Sequence, residues 1–394
     1  MCYRVIRESS LQKASIGRKI MTKTIAIIGS TGSIGTQSID VVRSLKKSGL
    51  DYEITGISAK SSQLFKKQLI EINPKAYAFS EKVEESEARY FADSSELIEY
   101  LKPDMTVIAS SGGDSLKYTV AAIKNSKRVC LANKESMVLA GDIINNLADV
   151  CRCEIIPVDS EHSGVFQLFE GESPDDVSKV IITASGGALR GWKREDLKHA
   201  TPEDVLKHPT WNMGAKITVD SATLFNKGLE VIEAKRLFFL KKEQIDTAFC
   251  YSSYIHAMIV FRDGVIKIHS GKPDMRIPIG YSMTYPQRLY DNTEKELKPE
   301  LLSLTSLDRE EYPALKLAFE VLEKPNTCSI IYNAANEVAV DLFLKRKIGF
   351  TSIFEVVDSA LNRYEGGEID NIEEIITFHD DIKRKTERDW RRFL

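Results

Sequence analysis

A chain of 394 residues with 43% hydrophobic and 28% charged side chains has a soluble globular composition and is too long for one ordinary core, so two or three domains are expected. A formal charge of −3 gives no general attraction for nucleic acid or an anionic membrane surface, so any anionic ligand must be held by local groups. No run of about 18 apolar residues exists to cross a membrane, and six scattered cysteines exclude a disulfide scaffold and fit a reducing cytoplasm.

Residues 1–20 are basic and lack the apolar centre of a secretory signal, so they read as a tail or a misassigned start before Met21, with an organelle-targeting peptide as the alternative. Strand TIAIIG then enters GSTGSIG, and a helix beginning near Thr36 ends at Gly49. Strand 53–58, a helix near 62–72, strand 106–110, a helix through 121–126, strand 128–132, a helix through 136–149 and strand 154–158 follow. Strands separated by helices of this length predict parallel βαβ units, hence a doubly wound sheet.

Gly29, Gly32 and Gly35 fall where the first strand meets the first helix. There glycine lets backbone turn sharply and approach a pyrophosphate, which the helix N-terminus can bind. The second strand ends in Gly56-Ile-Ser-Ala-Lys-Ser-Ser62, with no acid to accept from a ribose 2′-OH. Lys60, with Ser58, Ser61 and Ser62 around it, suits a 2′-phosphate and favours NADPH, against the bland reading of a solvated loop lysine. Lys134, in Leu131-Ala-Asn-Lys-Glu135, stands at another strand end and could touch substrate or cofactor.

The strand at 154–158 runs into Asp159-Ser160-Glu161-His162, two carboxylates one residue apart that repel unless something holds them. Strand 180–184 ends in Ser185-Gly186-Gly187, a hydroxyl with accessible N–H groups. The loop His208–Gly214 combines His, Pro, Trp and Gly, a composition suited to a lid. A helix is predicted from Ala222 with Asp220 or Ser221 as its N-cap. On it Asn226, Lys227 and Glu230 overhang neighbouring faces, and taken alone Lys227 and Glu230 read as a surface ion pair. With Asp159 and Glu161, Glu230 would complete a set of hard oxygen donors suited to Mg²⁺ or Mn²⁺, with Glu233 as the rival ligand. Residues 290–310 read as a charged linker, and 312–323, 329–345, 350–363 and 371–394 carry helical periodicity.

In order along the chain, GSTGSIG (29–35), LANKES (131–136), PVDSEH (157–162), SGG (185–187), HPTWNMG (208–214), VDSATLFNKGLEVIEA (219–234), GKPDMRIPI (271–279) and NAANEVA (333–339) resemble the 1-deoxy-D-xylulose 5-phosphate reductoisomerases. The resemblance covers essentially everything after Met21. It implies an N-terminal Rossmann-like doubly wound parallel sheet binding NADPH (21–158), a central α/β catalytic, metal and dimerisation domain (159–289), the linker (290–310) and a C-terminal helical bundle (311–394). It implies a cation, Mn²⁺, Mg²⁺ or Co²⁺, on Asp159, Glu161 and Glu230, leaving Glu233 behind them.

The phosphate of the substrate falls by the same resemblance to Ser185, Ser221, Asn226 and Lys227. Ser160, Glu161, Glu230 and Lys134 face the substrate, and His208, Trp211 and Met213 lie in the loop over it. Lys134, Glu161 and His208 carry the catalytic expectation. The nucleotide is expected on Gly29, Thr31, Gly32, Ser33, Ile34, Gly35, Ala59, Lys60, Ser61, Asn133, Glu135 and Gly214. The implied reaction is a retro-aldol and aldol rearrangement followed by hydride transfer, in a cytoplasmic homodimer. One departure is Tyr251-Ser-Ser-Tyr254 before Ile255-His256, where many members have His-Pro-Gln-Ser. His162 and His256 read as supporting groups. A plain NADP-dependent dehydrogenase, needing the glycine loop but no metal trio, and a nucleotide-sensing protein that turns over nothing are the rival readings.

Overall fold

The computed structural model describes residues 22–211, 213–291, 296, 298–364 and 366–393. The expectation for residues 1–20 lies outside them. The described residues form two compact units, one drawn from 22–133, 144–166 and 274–296, the other from 134–143, 167–273 and 298–393.

The first unit holds seven strands, β1 (Lys23–Ile28), β2 (Tyr52–Ser58), β3 (Ala76–Ala78), β4 (Arg89–Phe91), β5 (Met105–Ile108), β6 (Arg128–Leu131) and β7 (Glu154–Pro157). Their order is β4-β3-β2-β1-β5-β6-β7, and every neighbouring pair is parallel. The chain builds outward from β1 to β4 and then returns to lay β5 on the other side of β1. That reversal is the switch point at which doubly wound sheets bind ligands. The strands β1 and β6 are nearly continuous apolar runs because helices cover both faces. Helix Ser33–Lys47 buries Ile39, Val41, Val42 and Leu45 against Ile25, Ile27 and Val107, with Ile279 and Met283 of helix Arg276–Thr284 in the same core.

The second unit contains a mixed sheet of β8 (Val177–Ala184), β9 (Ile245–Phe249), β10 (Ile255–Phe261), β11 (Ile266–Ser270) and β12 (Thr305–Ser306), in the order β11-β10-β8-β9-β12. Only β8 and β9 run parallel. The short β12 lies inside the charged stretch read as a linker and pairs with β9. Helix Asn326–Leu344 is the axis of the C-terminal helices, packing on Ser352–Arg363 and Ile372–Asp389.

The region expected to be one helix from Ala222 is two. Helix Ala215–Thr223 ends at Leu224, whose φ of 61° is left-handed, and helix Phe225–Leu237 starts after it. Asp220 and Ser221 are therefore inside a helix and cap nothing. Asp220 is buried and bonded to Lys216 (2.7 Å) and to Nδ2 of Asn336 (2.8 Å), so its carboxylate is spent on fixing this helix to Asn326–Leu344.

Candidate active site

The glycine loop of the first unit is built as the spacing requires. Gly29 has φ +88°, and a Cβ there would lie 2.7 Å from the Ser110 nitrogen just past β5. Gly32 is the N-cap of helix Ser33–Lys47; no side chain caps that end and no acid lies in its first turn, so the helix dipole there favours an anion. Gly35 sits so close to the strand that a Cβ would meet the Gly29 carbonyl oxygen at 2.2 Å.

At the end of β2, Lys60 and Ser61 are exposed, as a 2′-phosphate site needs. Two of the serines grouped with them serve the fold instead. Buried Ser58 accepts from the Gly29 nitrogen through its hydroxyl (3.4 Å), and Ser62 caps helix Gln63–Ile72 by accepting from Leu64 N (3.2 Å). Asn133 is buried and donates to the carbonyls of Ser110 (3.1 Å) and Gly112 (3.2 Å), tying together the loops after β5 and β6.

In the same unit the acidic loop after β7 becomes the start of helix Ser160–Leu168. Oδ1 of Asp159 accepts from the backbone nitrogens of Glu161 (3.2 Å) and His162 (3.4 Å), and lies 3.0 Å from Nδ1 of His162. A carboxylate can only accept, so Nδ1 carries the proton and fully buried His162 fixes the direction of Asp159. The hydroxyl of Ser160 donates to Glu161 at 2.8 Å. Part of the repulsion between the two acids is thus offset by helix N–H groups, as at any acidic N-terminus.

In the second unit Glu230, 1% exposed, is the centre of a polar cluster. Nζ of Lys134 lies 2.8 Å from its Oε1 and 2.8 Å from Oδ1 of Asn226, while Lys227 pairs with its Oε2 and Asn226 also donates to it. What taken alone read as a surface pair is buried: two ammonium groups share the Glu230 carboxylate. Glu233, one turn on, is equally buried. Glu135, next to Lys134, is buried and 3.8 Å from Nζ of Lys216.

The Ser185-Gly-Gly turn abuts the end of helix Ala215–Thr223, since a Cβ on Gly187 would lie 2.6 Å from the Cα of Ala222. Ser185 therefore stands beside the turn that carries Ser221. Its hydroxyl is 3.1 Å from Nε2 of His208, whose Nδ1 accepts from the nitrogens of Thr210 (3.1 Å) and Trp211 (2.9 Å). Neutral His208 must then hold its proton on Nε2 and donate it to Ser185. Burial, helped by the Arg190 guanidinium, lowers its pKa below the ordinary 6.5. A depressed histidine favours folding above the unfolded value of 6.5 and loses that contribution as pH falls from there through its lowered folded value. An NMR titration of His208 is expected to show a midpoint under 6.5, and one above it would contradict this tautomer and burial. Trp211 and Met213 are half-buried and Gly214 caps helix Ala215–Thr223; Asn212 of the same loop lies outside the described residues.

Lys216, Asn336 and Arg190 were not singled out from sequence. Their only sequence signal is their place inside or beside motifs whose other residues draw attention first.

Three family models match the chain: 1-deoxy-D-xylulose 5-phosphate reductoisomerase over residues 25–141, its C-terminal domain over 155–238, and the DXP reductoisomerase C-terminal domain over 270–385. Proteins called 1-deoxy-D-xylulose 5-phosphate reductoisomerase are 41% identical in Chloroherpeton thalassium (382 residues; 93% of this chain, 97% of the relative) and 42% identical in Thermotoga maritima (387 residues; 93% and 96%). A DOX-P reductoisomerase crystal structure in complex with NADPH, fosmidomycin and magnesium superposes with TM-score 0.86 at 30% identity, covering 94% of this chain and 98% of that one. The Zymomonas mobilis enzyme in complex with NADPH gives 0.84 at 32%, covering 94% and 99%.

Proposed function

The chain belongs to the 1-deoxy-D-xylulose 5-phosphate reductoisomerase family, and we propose that the residues described above divide the work of that enzyme among them. It converts 1-deoxy-D-xylulose 5-phosphate to 2-C-methyl-D-erythritol 4-phosphate with NADPH and a divalent metal, in isoprenoid precursor biosynthesis. The observation that best supports the division is the buried cluster on Glu230, where the side chains of Lys134, Lys227 and Asn226 converge as strong donors of the kind that recognise an anionic phosphosugar.

The substrate phosphate is held by Ser185, Ser221, Asn226 and Lys227, and binding there orients the distant reacting carbons. Lys134 and Ser160 hydrogen-bond the substrate oxygens. His208 anchors the loop bearing Trp211 and Met213, which excludes water so that the fragments of the cleaved carbon skeleton recombine. Asp159, Glu161 and Glu230 hold the divalent cation, an all-carboxylate set that fits Mg²⁺, Mn²⁺ or Co²⁺. That cation supplies Lewis-acid polarisation of the substrate's ketone and hydroxyl oxygens when bound. His162 keeps Asp159 turned toward it. The first unit binds NADPH, which supplies hydride, through Gly29, Thr31, Gly32, Ser33, Ile34, Gly35, Ala59, Lys60 and Ser61, with Asn133, Glu135 and Gly214.

The decisive assay is NADPH oxidation on adding 1-deoxy-D-xylulose 5-phosphate with Mg²⁺ or Mn²⁺, then with chelator. Metal-dependent oxidation yielding methylerythritol phosphate is expected. Folded, NADPH-binding protein that oxidises nothing would overturn the assignment. Lys60→Ala is expected to weaken NADPH about tenfold, the loss of one exposed charge pair with phosphate, and to leave NADH nearly unchanged. Equal losses for both nucleotides would remove Lys60 from the 2′-phosphate.

The protein acts as a homodimer. Supporting this, β11 is an edge strand that exposes Ile266 and Ile268, with Val265 just before it, each at least half exposed, and unprotected apolar edges of this kind invite pairing. Ile268→Asp should give a monomer in sedimentation, whereas an unchanged sedimentation coefficient would move the interface elsewhere. No helix among the described residues is long and apolar enough to cross a membrane. A cytoplasmic location is supported by the buried free thiols of Cys130, Cys153 and Cys250, and cell fractionation tests it.

A further inference from the structure

Arg236 is half-buried on helix Phe225–Leu237, which carries Glu230. Its Nη1 donates to the carbonyls of Met137 (2.8 Å) and Val138, and its Nη2 donates to the hydroxyl of Ser329 (2.8 Å). That hydroxyl in turn lies 2.8 Å from the same Val138 carbonyl. The two carbonyls belong to helix Lys134–Cys151, whose backbone leaves helical geometry at Ala140 (φ −142°, ψ 28°). A break there takes away helical donors from the preceding turn, and buried carbonyls need partners. Gly141 leaves room for the arginine, since a Cβ there would lie 2.6 Å from its Cδ.

The other end of the same short segment is Lys134, whose ammonium reaches Glu230 and Asn226. One helix therefore grips the 134–139 segment at both ends, at Lys134 through Glu230 and at the break through Arg236. We propose that Arg236 is a positioning residue: by capping the broken end of this segment it fixes the direction in which Lys134 presents its ammonium to the substrate. The inference rests on the reading of Lys134 as a substrate-facing group. A planar guanidinium holds its donors in a fixed fork that meets both carbonyls and the hydroxyl at once, which a compact ammonium on a flexible stem does not reproduce, so lysine is a poor substitute.

The test is a double-mutant cycle in metal-dependent NADPH oxidation. Arg236→Met is expected to lower kcat/KM by about 10- to 100-fold, the scale for partners that orient a reacting group. Arg236→Lys should fall between. In a Lys134→Met background, Arg236→Met should change the residual rate by less than about twofold, because the group it positions is gone. Losses that multiply in full in both backgrounds would overturn the proposal and leave Arg236 a general stabiliser. Should Arg236→Met fail to fold, Ser329→Ala removes one member of the cap and must show the same dependence on Lys134 at smaller amplitude. Hydrogen exchange gives a readout apart from activity. Amides of residues 134–139 should exchange at least about tenfold faster in Arg236→Met while helix Ile372–Asp389 does not change, and unaltered exchange in 134–139 would also overturn it. Absence of turnover in the wild-type chain would sink the function proposed above instead, and exchange would then decide the positioning alone.

Discussion

Glu230→Gln is expected to reduce turnover by about two to three orders of magnitude, the range felt when one preorganised charge is removed from a reacting centre. NADPH affinity should stay intact. Two costs combine. The amide is a poorer donor to a hard cation than the carboxylate, so the metal concentration needed for half-maximal rate rises. It also leaves the ammonium groups of Lys134 and Lys227, 7% and 4% exposed, without their shared counter-charge. Breaking such a buried pair destabilises by about 3–5 kcal/mol. The costs separate experimentally: thermal unfolding without metal reads the second, and metal titration of NADPH oxidation reads the first. A folded Glu230→Gln protein with wild-type turnover would remove Glu230 from the metal set and favour a plain NADP-dependent dehydrogenase.

Much of this was legible in the sequence because the informative signals are local. Strand, glycine turn and helix are adjacent at 24–47, so the glycine turn and its parallel unit could be read directly. The types of residue at 159–161, 185–187 and 226–230 mark these stretches as candidates for anion and cation chemistry wherever they lie. Strand order was not legible, because the return of β5 to the side of β1 is a pairing between distant segments and leaves no periodic trace. The three-residue strands β3 and β4 are too short to show alternation, and β12 is hidden in a charged stretch because two residues at a sheet edge need no apolar side chain.

Within the site, sequence named residues but not their hydrogen bonds. Asp159 looked like one of two bare carboxylates, whereas its Oδ1 also caps a helix and orients on His162. Ser62 looked like a phosphate ligand and is a helix cap. Leu224 broke a helix that apolar spacing carried straight through, because a left-handed φ at leucine is set by packing and no propensity foretells it. Arg236 follows Lys235 in the last turn of its helix, where basic residues commonly answer the helix dipole. Only the carbonyls it meets distinguish it from that ordinary role.

Gly35→Ala is the second substitution with a large expected effect, and its sign is set by what the added methyl would strike. The new Cβ would lie 2.2 Å from the Gly29 carbonyl oxygen and 2.5 Å from the Ser30 Cα, both backbone atoms that cannot swing aside. Alanine gains about 1 kcal/mol of helix propensity over glycine, but forcing helix and strand apart costs about 1–3 kcal/mol or more, so the clash wins. If the pyrophosphate lies on this helix N-terminus as proposed, the lifted helix also carries its N–H groups away from it, so NADPH affinity should fall at least about tenfold, or 1.4 kcal/mol. Gly32→Ala separates the two effects. There the Cβ would stand 3.5 Å from the same carbonyl at an ordinary φ of −73°, so the fold should tolerate it and only a bound pyrophosphate would feel the methyl. The expected pattern is a lower melting temperature and weaker NADPH binding for Gly35→Ala, against weaker binding alone for Gly32→Ala. If Gly32→Ala binds NADPH normally, the nucleotide does not lie against this turn, and if Gly35→Ala melts like the wild type, the helix is not held to the strand by this contact.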